Sequence, residues 1–169
     1  MNILETERLI LRELCASDAE FILQLVNEPA WLRYIGDKGI KTVQAAEDYI
    51  RNGPVKMYAR FGFGLWLVAL KEGLVPIGIC GLIKRDTPED VHVGFAFLAS
   101  YWKKGYAFES ASATMAHGRK AFGFKRLVAI MSPDNEASHR LLEKLGFRFE
   151  RMLRLSSNAP EIKLYGVTI

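Results

Sequence analysis

Three apolar runs, residues 65–70, 77–84 and 91–98, follow one another with turn chemistry between them: Lys71-Glu72-Gly73, then Asp86-Thr87-Pro88-Glu89-Asp90. Each run is rich in β-branched and aromatic side chains, which suit a pleated, buried surface. Connections this short leave only an antiparallel meander. Runs so continuously apolar predict strands covered on both faces. The period then changes. Phe108, Ala111, Met115, Gly118 and Phe122 recur at helical spacing, which predicts a long amphipathic helix from about 105 to 121, with Gly123 as its stop.

The flanking segments fit the same sheet. Residues 9–14 read as a strand, and Ser17-Asp18 offers an N-cap for a helix over 19–26 that Pro29 stops. Residues 30–41 read as irregular. A second helix opens at about Thr42 and ends near Gly53-Pro54, with room for a further helical turn over 55–60. After the long helix come a strand at 126–131, a helix over 135–145 stopped by Gly146, and closing strands at 149–155 and 162–167. The pattern predicts an α/β chain with a mixed, largely antiparallel twisted sheet of six to seven strands flanked by helices. No linker or repeat divides the 169 residues, so residues 1–169 are expected to form a single domain.

Composition narrows the class. Half the residues are hydrophobic and a quarter charged, the profile of a globular protein. The opening Met1-Asn2-Ile3-Leu4-Glu5 lacks the basic-then-apolar order of a secretory signal, and no apolar run is long enough to span a bilayer. The two cysteines, Cys15 and Cys80, sit in strand-like apolar settings and are expected to be buried, reduced thiols of a cytoplasmic protein. A net charge of +4 suits a phosphate-bearing ligand, an RNA surface or an ordinary solvated exterior alike. No run of basic residues stands out, which makes nucleic acid an unlikely partner.

One local pattern points to an anion. The third strand leads through residues 99–104 into a helix opening at Gly105, and unsatisfied N–H groups at a helix start converge on negative charge. Gly105 has no side chain to obstruct a phosphate, and Lys103 and Lys104 add positive charge. The Gly-Lys-Ser/Thr ending of a Walker loop is missing, as is the three-glycine dinucleotide fingerprint. The residues alone fit an anion site or a solvated helix start.

Three stretches taken together resemble the GNAT superfamily of acyltransferases, especially its ribosomal-protein N-acetyltransferase (RimJ/RimL-type) branch. They are Thr6-Glu7-Arg8-Leu9-Ile10-Leu11-Arg12; Gly94-Phe95-Ala96-Phe97-Leu98 running into Tyr101-Trp102-Lys103-Lys104-Gly105-Tyr106-Ala107; and Asn135-Glu136-Ala137-Ser138 with Leu142-Glu143-Lys144-Leu145-Gly146-Phe147. In the superfamily's phosphate loop, Gln/Arg-x-x-Gly-x-Gly/Ala, Gly105 and Ala107 match and Trp102 stands at the first position. Backbone donors make that substitution tolerable. The resemblance implies the GNAT fold, with acetyl-CoA as acetyl donor and no metal. It implies that Trp102, Lys103, Lys104, Gly105, Tyr106 and Ala107 cradle the pyrophosphate, and that the strand edge at Phe97 and Leu98 pairs with the pantetheine arm. Asn135 is implied as a contact to the cofactor amide or as a helix cap.

Acetyl transfer to an amine needs a proton acceptor for the amine and a proton for the departing thiolate. His92, on the strand face shared with Ala96 and Leu98, fits either a general base or a structural residue; relatives often carry an acid there. Many superfamily members place a Tyr at the position of Leu142 as the acid. The resemblance to the ribosomal-protein branch moves that task to Ser138. Trp31, Tyr34, Phe61, Phe63 and the 156–160 turn are expected to surround the acceptor, a primary amine on a small molecule or a protein N-terminus. A homodimer stays open. So does the alternative of a non-catalytic CoA-binding or RNA/ribosome-binding module on the same fold.

Overall fold

The computed structural model of the chain describes residues 2–86 and 88–169; Met1, and Thr87 of the predicted 86–90 turn, lie outside them. Among the described residues eight strands form one sheet, one more than the upper end of the predicted range. They are β1 (Asn2–Glu5), β2 (Leu9–Glu13), β3 (Leu65–Leu70), β4 (Pro76–Ile83), β5 (His92–Phe97), β6 (Arg126–Met131), β7 (Arg148–Leu153) and β8 (Ile162–Thr168). Their spatial order is β1-β2-β3-β4-β5-β6-β8-β7. All neighbours run antiparallel except β5 and β6, which are parallel. The extra strand, β1, is a four-residue edge with two half-buried residues, too short to carry a pattern.

Alternation along the strands sorts side chains onto two cores. Trp66, Val68, Cys80, Leu82, Val93 and Phe97 pack on one face under α5 (Tyr106–Phe122) and α6 (Glu136–Lys144). Leu67, Ala69, Ile79 and Leu98 pack on the other under α1 (Ala19–Val26) and α3 (Val43–Asn52). Six consecutive residues of β4 are buried, as the unbroken apolar run required. The inward face of α5 is small (Ser110, Ala111, Thr114 and Gly118), which lets the helix lie close on the sheet. It ends as predicted at Gly123, φ +70°, where Phe124 N–H reaches back to the Gly118 carbonyl.

Four local expectations change. Pro29 does more than stop α1: it opens α2 (Pro29–Tyr34), because the first helical position has no use for an N–H. Residues 30–41 are therefore partly helical. Pro54 does the same for α4 (Pro54–Phe61), a full helix where one turn was expected. Ser17-Asp18 does not cap α1. Residues 16–18 form a short 3₁₀ turn, and the Asp18 carboxylate instead accepts from Arg12 at 2.8 and 2.9 Å and from Cys15 N–H at 2.9 Å. Cys15 is exposed rather than buried, lying just past the end of β2; Cys80 is buried, and burial pushes its thiol up to about 11. No helix among the described residues is long and apolar enough to cross a membrane. Nor do the described residues gather three His, Cys, Asp or Glu side chains that could hold a metal ion.

Candidate active site

The site begins where the sheet opens. β4 accompanies β5 along its whole length, but β6 pairs with β5 only at His92 and Val128, where Val128 N–H donates to the Val91 carbonyl at 3.0 Å. With Val91 facing β6, alternation turns the Phe95 N–H and C=O and the Phe97 N–H into the gap. The Phe97 carbonyl is taken by the Trp102 indole N–H at 2.9 Å. Leu98 turns the other way and gives its N–H to Ile77 on β4 at 2.9 Å. Of the two edge residues singled out in the sequence, Phe97 therefore faces the opening and Leu98 does not.

At the C-terminal end of β5 a single 3₁₀ turn over Ala99–Tyr101 leads to Trp102. Lys103 and Gly105 then both adopt left-handed backbone, φ +63° and +83°. Alternating conformations of this kind curl the chain so that successive N–H groups face one concavity. Among the described residues, no acceptor meets the backbone N–H of Lys103, Lys104, Gly105, Tyr106, Ala107 or Phe108. The helix that follows has 17 residues and no side-chain cap, so its dipole adds to the field at the same point. Six free donors, an uncapped helix start and two exposed lysines make an anion cradle.

The cradle is braced from the turn between β1 and β2, a role the sequence did not disclose. The Glu109 carboxylate accepts from Thr6 Oγ1 at 2.7 Å, Arg8 N–H at 2.9 Å and Arg8 Nε at 2.8 Å. Arg8 Nη1 donates to the Lys104 carbonyl at 3.0 Å, and its guanidinium lies over the Tyr106 ring at 4.4 Å. Burial alone would raise the Glu109 carboxyl; the bonds from Thr6 and Arg8 outweigh it and hold the group below its ordinary value. Arg8 and Glu109 are 101 residues apart, and no sequence pattern joins them.

α6 follows β6, the far wall of the opening. Asn135 caps it: Oδ1 accepts from Ser138 N–H at 3.2 Å. Ser138 is half-buried and no partner holds its hydroxyl among the described residues. Leu142 is buried in the core. Beside Ser138, His139 joins Tyr165 Oη through Nδ1 and Glu143 through Nε2 at 3.1 Å, a carboxylate–imidazole–phenol chain that the sequence did not reveal.

His92 stands at the closed end of the opening and is 1% exposed. Neither ring nitrogen has a hydrogen-bond partner among the described residues, although the Pro88 carbonyl lies nearby without hydrogen-bond geometry. Burial first, then the charges of Arg85 and Lys84, push it down to about 4, against smaller opposing effects of Pro88 and Asp90. The ring is thus neutral near pH 7. Of the aromatics expected around an acceptor, Trp31 and Phe63 are buried in the two cores. Phe63 sits against Phe61, Phe122 and Phe124 with ring centroids 5.3 to 5.7 Å apart. Tyr34 is half-buried under Arg33, and the 156–160 turn is mostly exposed.

Residues 8–148 match the model of the acetyltransferase (GNAT) domain family. The chain is 32% identical over 154 residues to the uncharacterized N-acetyltransferase YoaA of Bacillus subtilis, an alignment covering 90% of this chain and 86% of that one. A GNAT-family acetyltransferase from Bacillus anthracis superposes with a TM-score of 0.81 at 25% identity, covering 99% of this chain and 98% of the other. The RimL ribosomal L7/L12 alpha-N-protein acetyltransferase, solved in complex with coenzyme A, gives a TM-score of 0.84 over 100% of this chain and 98% of its own. At 18% identity that likeness concerns the fold alone.

Proposed function

The chain belongs to the GNAT acetyltransferase family, and from that premise we propose that it transfers an acetyl group from acetyl-CoA to a primary amine. The observation that carries this is the run of free N–H groups over residues 103–108, set beside the opening between β5 and β6. Those donors would hold the pyrophosphate, with Trp102 fixing the strand end through Phe97 and with Lys103 and Lys104 adding charge. The free Phe95 and Phe97 backbone groups would pair with the pantetheine arm as an added strand does. The RimL protein's complex with coenzyme A supports the same ligand on the same fold.

Acetyl-CoA supplies an activated thioester, and the chain's residues supply position and protons. In a ternary complex the amine nitrogen attacks the carbonyl carbon directly; the new C–N bond replaces the C–S bond, and coenzyme A leaves as a thiolate. The proton lost by the amine leaves through water; His92, 1% exposed and pushed down to about 4 by burial and the charges of Arg85 and Lys84, is poorly suited to hold it. Ser138, at the start of α6, gives a proton to the thiolate, and Asn135 orients that turn. Written this way the reaction calls for no metal. Residues 1–169 act as one domain in the cytoplasm, on a small-molecule amine or a protein N-terminus, as a monomer or a homodimer.

Thiol release tests this. Coenzyme A should appear only when acetyl-CoA and an amine are both present, and the amine should gain one acetyl group by mass spectrometry. Ser138→Ala should lower kcat by roughly 10- to 100-fold, the usual range for a proton-transfer group, with acetyl-CoA affinity unchanged. Tight acetyl-CoA binding with no transfer to any amine in a broad panel would instead favour a non-catalytic module. The brace is tested separately. Glu109→Ala frees Arg8 and slackens the cradle, and should weaken acetyl-CoA binding by about 10-fold, ~1.4 kcal/mol.

A further inference from the structure

Past Ile83, β4 runs into Lys84 and Arg85 beside a cleft of about 950 Å³. Lys56, Met57, Arg60 and Phe61 of α4 line it together with Lys84, Arg85 and Leu155. Four cations line this space against two carboxylates, Asp86 and Glu89. Among the described residues neither carboxylate pairs with any of the four, nor does Lys38, which lies near Arg85, pair with an acid. Lys84 Nζ is spent on the carbonyls of Arg85 and Glu89. Elsewhere the protein pairs its placed arginines tightly: Arg8 and Arg12 hold carboxylates at 2.7 and 2.8 Å.

Arg85 is the unusual member. Its Nε is buried with no acceptor, as are both ring nitrogens of His92 close by. Ile83 is the register partner of His92, so Arg85, two residues further on, stands at the same end of β5. Burial lowers the Arg85 guanidinium, and burial together with Arg85 lowers Lys38, so neither cation is stabilised where it stands. A buried donor without an acceptor costs about 1–3 kcal/mol. Arg85 lines the cleft, and a guanidinium fork takes a carboxylate or phosphate in two hydrogen bonds.

This cleft is separate from the pyrophosphate cradle. The cradle lies beyond the C-terminal end of β5 and the cleft beside its N-terminal end, with six residues, about 20 Å of strand, between them. The opening that would hold the thioester runs from one towards the other. Resting on the reading of that opening as an acetyl-transfer site, we propose that the acceptor is a small amine carrying a carboxylate or phosphate, which Arg85 binds in the cleft with Lys56, Arg60 and Lys84 around it. A space of about 950 Å³ lies within the roughly 300–1,000 Å³ range of small-molecule sites.

Matched amines test the proposal: O-phosphoethanolamine against ethanolamine, and β-alanine against propylamine, at saturating acetyl-CoA. The anionic member of at least one pair should show a kcat/KM 10-fold or more above its neutral counterpart, and the pair with the larger ratio identifies phosphate or carboxylate. Arg85→Gln should collapse that ratio towards one, and Arg85→Lys should restore part of it. Ratios near one in both pairs for the unaltered protein would overturn the proposal while leaving acetyl transfer intact. A second measurement does not depend on catalysis. Inorganic phosphate titrated into ¹⁵N-arginine-labelled protein saturated with coenzyme A should shift the Arg85 Nε–Hε resonance saturably. The same titration without coenzyme A serves if that ligand does not bind. No shift at Arg85 overturns the proposal; a saturable shift in a protein that acetylates nothing upholds the anion site and sinks the transfer reaction instead.

Discussion

Gly105→Glu is expected to weaken acetyl-CoA binding at least ~100-fold, about 2.7 kcal/mol, measured by calorimetry at fixed salt. The new carboxylate would sit among the free N–H groups of residues 103–108, occupy some of those donors and repel the pyrophosphate. Two local penalties accompany it. At φ +83° any residue with a Cβ is strained by about 1 kcal/mol or more, and the added carbon would lie 3.2 Å from Arg8 Nη2. The substitution is therefore not neutral for the fold. Gly105→Ala separates the effects. It shares the strain and the contact with Arg8 but adds no charge, and should lose only about 3- to 10-fold in affinity, up to ~1.4 kcal/mol. A Glu variant that binds within about threefold of the parent would contradict the assignment of the cradle.

Arg12→Met is expected to be the most damaging single change to stability outside the core, by about 2 to 3 kcal/mol. Asp18 is 6% exposed, and its carboxylate depends on Arg12 and on one N–H from Cys15. Removing the guanidinium strands a charge away from water. The figure lies at the low end for broken buried pairs because part of the Arg12 side chain is exposed. For a chain of this size it corresponds to a melting temperature lower by roughly 5–10 °C. The pH dependence has a fixed sign. Burial alone would raise the Asp18 carboxyl, but Arg12 and Cys15 hold it below its ordinary value. A depressed carboxyl stabilises the fold above its unfolded value near 4 and loses that contribution as the pH falls through the folded value. The gap between parent and variant should therefore be widest at neutral pH and close below about pH 4. Replacing both partners, Arg12→Met with Asp18→Leu, should recover most of the loss, since no buried charge remains.

Local signals in the sequence were read well where local forces decide the outcome. Residues 65–70, 126–131 and 19–26 form their elements at the predicted bounds, because each is an apolar pattern closed by polar or turn residues on both sides. Gly105 and the helix after it were legible for the same reason. The misses are of two kinds. Pro29 and Pro54 each end one helix and begin the next within a residue or two, and proline signals a stop more plainly than a start. The others are long-range: Arg8 with Glu109, Arg12 with the buried Asp18, His139 with Tyr165, and Arg85 beside His92. Sheet order and helix placement create those partnerships, and spacing along the chain carries no trace of them. Lys103 in left-handed backbone was likewise invisible, since only glycine announces that conformation.

The most direct test of acetyl-CoA binding at this site is a titration of acetyl-CoA into uniformly ¹⁵N-labelled protein, followed through the backbone amides. The largest shifts should fall on the N–H groups of residues 103–108, with a second set at Phe95 and Phe97 along the free edge of β5. Binding that leaves those amides unmoved, or no saturable binding at all, would contradict the assignment of this loop and opening to the acetyl donor.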